Sequence, residues 1–223
     1  MSKSPAAGAP PKRTIDVVNA SLKRRYARER RFRLLGLAAV ILGLTFVALL
    51  FLDIIAKGHT AFQQTYIQLP LTFEADQLDP EGTRDPETLM RANYAGVIRD
   101  ALRKEFPEVT ERRETRALAS MISVGAPSHL RDMVLADPDL IGTTREVWLL
   151  ADDDIDMLIK GHIDRRLPES ERRVKDQTVG WVEQLESQGR IKKRFNTIFF
   201  TSGTSREPEL AGIAGALMGS FYT

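Results

Sequence analysis
The chain has 223 residues, 43% hydrophobic and 28% charged, with no cysteine, which excludes a wholly disordered protein, a disulfide framework and any thiolate metal site or nucleophile. Its formal net charge of +2 hides an imbalance: residues 1–57 carry eleven Lys/Arg against three Asp/Glu, and residues 58–223 carry 21 against 27. Halves of about +8 and −6 suit a chain whose two parts face different surfaces.

The opening "MSKSPAAGAPPKRTIDVVNA" begins with small residues and prolines that cannot pack a core, and reads as a flexible cytoplasmic tail. A basic run follows, Lys23, Arg24, Arg25, Arg28, Arg30, Arg31 and Arg33, opposed only by Glu29. Tyr26 and Phe32 interleave with these cations, a pattern also found in nucleic-acid binders. The run abuts an apolar span, so the expected partner is the headgroup layer of a lipid bilayer, with no nucleic acid.

That span is "LLGLAAVILGLTFVALLFL", Leu34 to Leu52, nineteen residues whose only polar member is Thr45. As a helix it is about 28 Å long, close to the hydrocarbon thickness of a bilayer. Thirteen of its residues are Leu, Ile, Val or Phe, which on the insertion scale sum to roughly −4 to −8 kcal/mol. A signal peptide would have a shorter apolar core and an A-x-A-like site, which "AKG" at Ala56–Gly58 matches poorly. An uncleaved transmembrane anchor is expected, and the Lys/Arg excess before it places the N-terminus in the cytoplasm and the residues after Gly58 outside.

Residues 58 to about 207 are enough to own a hydrophobic core. "QTYIQLPLTFE" alternates as a strand, with Pro70 restricting it to an edge or splitting it. Asp85 before Pro86 starts a helix in which Met90, Tyr94, Val97, Ile98 and Ala101 recur at helical spacing as far as Phe106. "TERRETRALASMIS" is a second helix, with Thr110 and Glu114 placed for its cap and Gly125 and Pro127 after its end; "SHLRDMVLAD" is a third. "REVWLLA" favours a strand, and "DDDIDMLIKGH" opens a helix with three aspartates at the positive end of its dipole. "SERRVKDQTVGWVEQLESQG" holds a helix with Gly189 as its C-cap, and "RIKKRFNTIFFTS" is a strand in which Ile191, Phe195, Thr197 and Phe199 share a side. From Pro208 a small-residue helix runs on, with Ala211, Gly215 and Gly219 at every fourth position.

The expected fold is α+β, with this organisation: a basic cytoplasmic tail over 1–33, a transmembrane helix over 34–56, a helix-rich extracytoplasmic domain with two or three strands over 57–207, and the start of a second transmembrane helix over 208–223.

Chemistry-bearing constellations are sparse. Asp152, Asp154 and Asp156 sit at positions 1, 3 and 5 of a calcium loop, but Met157 stands where the turn needs Gly and Ile163 where a bidentate Glu belongs. The expected reading of Asp152, Asp153, Asp154 and Asp156 is a charged helix N-terminus. His59, His129 and His162 are scattered, and there is no H-E-x-x-H, G-x-S-x-G or nucleotide P-loop. Neither a catalytic site nor a cofactor or metal site is expected.

"FFTSGTSREPELAGIAGALMGSFYT", with "RFRLLGLAAV" before the span and "YIQLPLTF" after it, resembles the A-type permease subunit of bacterial high-affinity phosphate ABC importers, in the branch with a long extracytoplasmic insertion after the first helix. The resemblance runs from about Arg24 onward, and "SREPELAG" is its most specific part; Thr204 stands where that family more often has Asp. It implies an N-terminal portion of a permease in the bacterial inner membrane, with no enzymatic step of its own. The implied partners are a second permease subunit, ATPase subunits and an extracytoplasmic phosphate-binding protein. The alternative is a single-pass membrane protein whose outer domain senses a ligand or binds a partner.

Overall fold
The computed structural model describes the backbone of residues 14–222 and the side chains of residues 25–222. Of the flexible tail expected over the first twenty residues, 1–13 lie outside the described residues and 14–20 are the helical start of α1, so the tail is shorter than expected; the side chains of Lys23 and Arg24 also lie outside the described residues. The chain divides into two compact units, Met1–Lys57 and Gly58–Thr223.

In the first unit a single helix, α1 (Thr14–Gly58), contains both the basic run and the apolar span. It is the one helix among the described residues that is long and apolar enough to cross a membrane by length and composition. Its apolar side chains are exposed among the described residues, Leu35 by 70% and Phe46 by 64%. The hydroxyl of Thr45 donates to the carbonyl of Ile41 at 2.8 Å, which satisfies the span's single polar side chain inside the helix. Glu29 pairs with Arg33 at 2.6 Å and Asp53 with Lys57 at 2.9 Å, so the acid flanking each end of the span is already neutralised.

The second unit is an α+β domain built on a three-stranded antiparallel sheet. In chain order its elements are β1 (Gln63–Thr72), α2 (Ala75–Leu78), α3 (Pro86–Arg91), α4 (Tyr94–Glu105), α5 (Arg112–Ala119), α6 (Ala126–Ala136), β2 (Thr144–Leu150), α7 (Asp153–Ile159), α8 (Asp176–Ser187), β3 (Ile191–Phe195), α9 (Ile198–Thr201) and α10 (Ala214–Tyr222). The strand order is β2-β1-β3. β1 pairs with β2 from Tyr66↔Leu150 to Thr72↔Thr144, and with β3 from Gln63↔Phe195 to Ile67↔Ile191.

β1 shows why one face of the sheet is the core. Ile67, Leu69, Leu71 and Phe73 are fully buried, while Tyr66, Gln68, Pro70 and Thr72 between them point to the other face. Each buried aliphatic side chain contributes about 2 kcal/mol. Val97, Ile98, Ala101 and Leu102 of α4 belong to the same core, with Trp181 and Val182 of α8, and the Phe106 and Trp181 rings lie 6.1 Å apart.

Several elements differ from expectation for local reasons. Pro70 sits in the central strand, yet it lies past Ile67, where β3 stops pairing. The amide of Gln68 donates to Arg190 on the β3 side, so by alternation the missing N–H of Pro70 would point where no strand remains, and no ladder bond is lost. The single helix expected from Asp85 to Phe106 is two: Asp85 caps α3 through Thr88, and Asn93 accepts from the amide of Gly96 to start α4 afresh. Met90 at the break is 56% exposed. α5 starts after Glu111 with no side-chain cap, displacing the Thr110–Glu114 pairing. Gly125 and Pro127 open α6; they do not close α5. The strand expected as far as Phe199 ends at Phe195, and the helix expected from Pro208 begins at Ala214 after a short 3-10 turn, Pro208–Leu210. Ala211 therefore stands outside the helix that carries Gly215 and Gly219.

Candidate functional site
The described residues gather their most specific polar contacts where the chain comes into the folded unit and where it leaves. Asn196 follows directly on β3 and is 8% exposed. Its backbone amide donates to the carbonyl of Phe62 at 2.9 Å, its Nδ2 donates to the carbonyl of Ala61 at 3.0 Å, and its Oδ1 accepts from the amide of Phe199 at 2.9 Å. A side-chain amide suits this position because it offers a donor and an acceptor on one group. Phe199 in turn accepts from the amide of Ile213 at 2.8 Å, just before α10. The incoming segment, the turn after β3 and the outgoing segment are thus stitched together.

Four phenylalanines close around this stitch. Phe62 and Phe200 stack at 5.9 Å, Phe195 and Phe200 at 5.6 Å, and Phe199 meets both Phe62 and Phe200 edge-on at 5.7 and 5.1 Å. Such pairs add about 1 kcal/mol each beyond area burial. Phe62, Phe195 and Phe200 nevertheless remain exposed by 42%, 62% and 44%.

The "PELAG" segment is pinned to the same unit. The carbonyl of Glu209 accepts from Gln64 Nε2 at 2.5 Å, and its buried carboxylate accepts from the hydroxyl of Ser123 at 2.6 Å. Leu210 lies over Gly125 and, with Tyr66, His129, Trp148 and Leu150, lines a cavity of about 270 Å³. The amide of Gly212 donates to Gly203 at 2.8 Å, and a Cβ at Gly212 would come within 2.4 Å of the Ser202 carbonyl oxygen. This close approach demands glycine.

Asp152 caps α7 through the amide of Asp154 at 3.2 Å. Burial pushes its carboxyl up to about 6; the Asp154 amide works against that, and the charges of Asp153, Glu209 and Asp154 add to it. Arg173 pairs with Asp154 at 3.1 Å and lies 3.9 Å from Asp153. Asp156 accepts from the amide of Thr65 at 2.9 Å and pairs with Lys160 at 2.5 Å. The carboxylates of Asp152, Asp153 and Asp154 lie within 4.8 Å of one another, close enough to share a cation, and the Arg173 guanidinium stands beside them. Of the histidines, His162 meets the hydroxyl of Thr60 at 3.0 Å beside the incoming segment, and His129 lines the cavity.

On α1, Arg25, Arg28, Arg30, Arg31 and Arg33 are exposed, and at about 100° per residue they fall on all sides of the helix. They make a collar and leave no apolar face between them. On the face of the sheet away from the main core, Lys192 Nζ stands 3.5 Å over the Trp148 ring, and the Arg194 guanidinium lies 5.2 Å from Tyr66 and 5.3 Å from Trp148. Sequence reasoning missed this platform and the Asn196 and Ser123–Glu209 contacts. Strand alternation pairs Lys192 with Tyr66 only once the β1–β3 register is known.

A family model described as a domain of unknown function (DUF3333) matches residues 19–169, so Phe62 lies within the matched part, and Phe195, Asn196, Phe199, Phe200 and Glu209 lie beyond it. No curated protein and no solved structure matches the chain.

Proposed function
Because the chain belongs to the DUF3333 family, whose description assigns no activity, we propose a function from the junction and from the resemblance of its flanking segments. The chain is the N-terminal portion of an integral-membrane permease subunit of an ATP-driven phosphate importer in the bacterial inner membrane. In this reading α1 crosses the bilayer with its arginine collar in the cytoplasmic headgroup layer, and the folded unit contributes to docking or gating on the extracytoplasmic face. A second permease subunit, ATPase subunits and an extracytoplasmic phosphate-binding protein are its partners, and hydrolysis takes place on the ATPase subunits.

The observation that carries this reading is the stitch at Asn196, which brings the incoming Ala61–Phe62 beside Phe199 and the lead into α10. A domain inserted between two consecutive membrane helices must leave the bilayer and return to it at neighbouring points. α10 carries no charged residue, and Leu217, Met218, Phe221 and Tyr222 are exposed. The arginine collar favours a helix standing across the membrane over one lying on it, which would keep one face apolar.

The test is phosphate uptake by cells of the source organism deleted for this gene, assayed at limiting phosphate. Uptake should fall and return on complementation, and the tagged protein should co-purify with ATPase subunits. Unchanged uptake together with isolation free of ATPase subunits overturns the transport reading in favour of a single-pass sensor.

A further inference from the structure
Residues 58–223 carry an excess of acids, yet the stretch from Gln188 to Arg206 contains five Lys/Arg and no Asp or Glu. Arg190 is taken up by Glu105 of α4, but Lys192 and Arg194 rest on aromatic rings and Lys193 is exposed. Immediately after them come Phe195, Phe199 and Phe200, clustered with Phe62. The incoming turn His59–Phe62 and the segment Asn196–Ser202 add no acid. Three of the four rings are exposed although they stack on one another, so their arrangement is held from below, by Asn196, and does not depend on burying their outer faces.

We propose that the aromatic cluster of Phe62, Phe195 and Phe200, with the exposed Lys193 on the same face of β3 as Phe195, is a seat on the phospholipid surface, with the rings among the upper acyl chains and the Lys193 ammonium on a headgroup phosphate. The inference rests on the membrane reading above. Two features select lipid as the occupant. Phe62 follows Leu52, the end of the apolar span, by ten residues, so the cluster is joined to that span by a short stretch of chain. The charge is also compatible: in a unit with a net acid excess, the stretch from Gln188 to Arg206 carries five Lys/Arg and no acid, so anionic lipid does not repel the segment that holds the cluster. Aromatic rings with basic side chains beside them match the apolar-to-polar gradient of the interface, where long cationic stems lie along apolar material and their heads reach phosphate.

The chain has no cysteine, so single labelling sites are clean. Phe195→Cys and Phe200→Cys, made separately, carry a nitroxide in the full chain reconstituted into vesicles of phosphatidylethanolamine and phosphatidylglycerol. Power saturation against dissolved oxygen and a neutral nickel chelate reads the depth of each label. Leu44→Cys in the span and Glu81→Cys, beyond the far end of β1, are the references, and circular dichroism checks that each variant is folded. Labels at 195 and 200 should show an oxygen-to-nickel ratio several-fold above that at 81 and below that at 44. Adding Lys193→Glu should shift the ratio at 200 toward the aqueous value. If 195 and 200 read as aqueous while 44 reads as lipid, the seat is overturned and the anchor stands. If 44 is aqueous as well, the membrane reading itself fails. Labels screened from both reagents mean that protein covers the cluster, which also overturns the lipid seat.

Discussion
A side-chain amide at position 196 offers both hydrogen-bonding roles, and the fold uses both on groups that would otherwise be stranded at the base of the unit. Asn196→Ala leaves the Ala61 carbonyl and the Phe199 amide without these partners, at a cost of about 2 kcal/mol. Thermal unfolding of the purified chain in detergent should register that loss, and amide exchange should rise first at Phe199–Ile213. An unchanged melt would mean that the stitch is incidental. Asp152 makes a different kind of prediction. Its folded carboxyl titrates near 6, above its ordinary value, so the folded state holds the proton more tightly than the unfolded one. The contribution to stability is present in full below the ordinary carboxylate range and is lost as the pH rises through about 6. Asp152→Asn keeps a capping side chain and removes the charge. Unfolding followed from pH 4 to pH 7 should lose less stability in this variant than in the parent, and parallel curves would contradict the assignment.

Among the elements, the ends of α8 and the turn before α10 show two different demands for glycine. Gly189 has φ of +71°, its amide donates to Glu186 at 2.9 Å and the next amide, of Arg190, donates to Leu185 at 2.9 Å, which closes the helix in a Schellman motif. The space around it is open, so Gly189→Ala costs about 1 kcal/mol, through backbone strain alone. Gly212 faces backbone: a Cβ there would also approach the Ile198 carbonyl oxygen to 2.7 Å. Gly212→Ala should therefore be the more damaging of the two and should act locally, freeing the segment from Glu209 to Ala214. Hydrogen exchange across that segment distinguishes the variants, and equal protection in both would show that the segment is not held by this contact.

For the whole molecule, orientation follows from the charge at the start of α1. With Arg28, Arg30, Arg31 and Arg33 all changed to Glu, the Lys/Arg before the span fall from ten to six and the net charge there falls from +8 to zero. A membrane-impermeant maleimide applied to intact cells should label Glu81→Cys in the parent background and lose a large part of that labelling in the charge-reversed one. Labelling that does not change with the arginines would remove the basis for the assigned direction.

The same scales divide what could be read in the residues from what could not. α1, the start of α3 at Asp85–Pro86, β2 within "REVWLLA" and the Gly189 end of α8 were legible because each depends on neighbours a few positions away: an apolar run, a cap, alternation, a left-handed residue. The break at Asn93 was less legible, since helical spacing continues across it and only the side chain's bond to the Gly96 amide marks a new start. β3 was read too long because "FNTIFF" suits a strand by propensity, whereas Asn196 turns the chain back to meet Ala61 and Phe62. The candidate site was almost wholly hidden. Glu209 meets Gln64 across 145 positions and Ser123 across 86, and no local pattern reports such pairings.

By itself, then, the sequence determined a long apolar helix behind an arginine collar, an acidic unit after it and the α+β character of that unit, since composition and short-range periodicity suffice for these. The tertiary structure alone decided that Pro70 sits harmlessly in the central strand, that Glu209 is buried against Ser123, and that the two ends of the unit meet at Asn196 beneath an aromatic cluster. Those are contacts between distant parts of the chain, formed only when the sheet register and the packing of the core bring them within hydrogen-bonding reach.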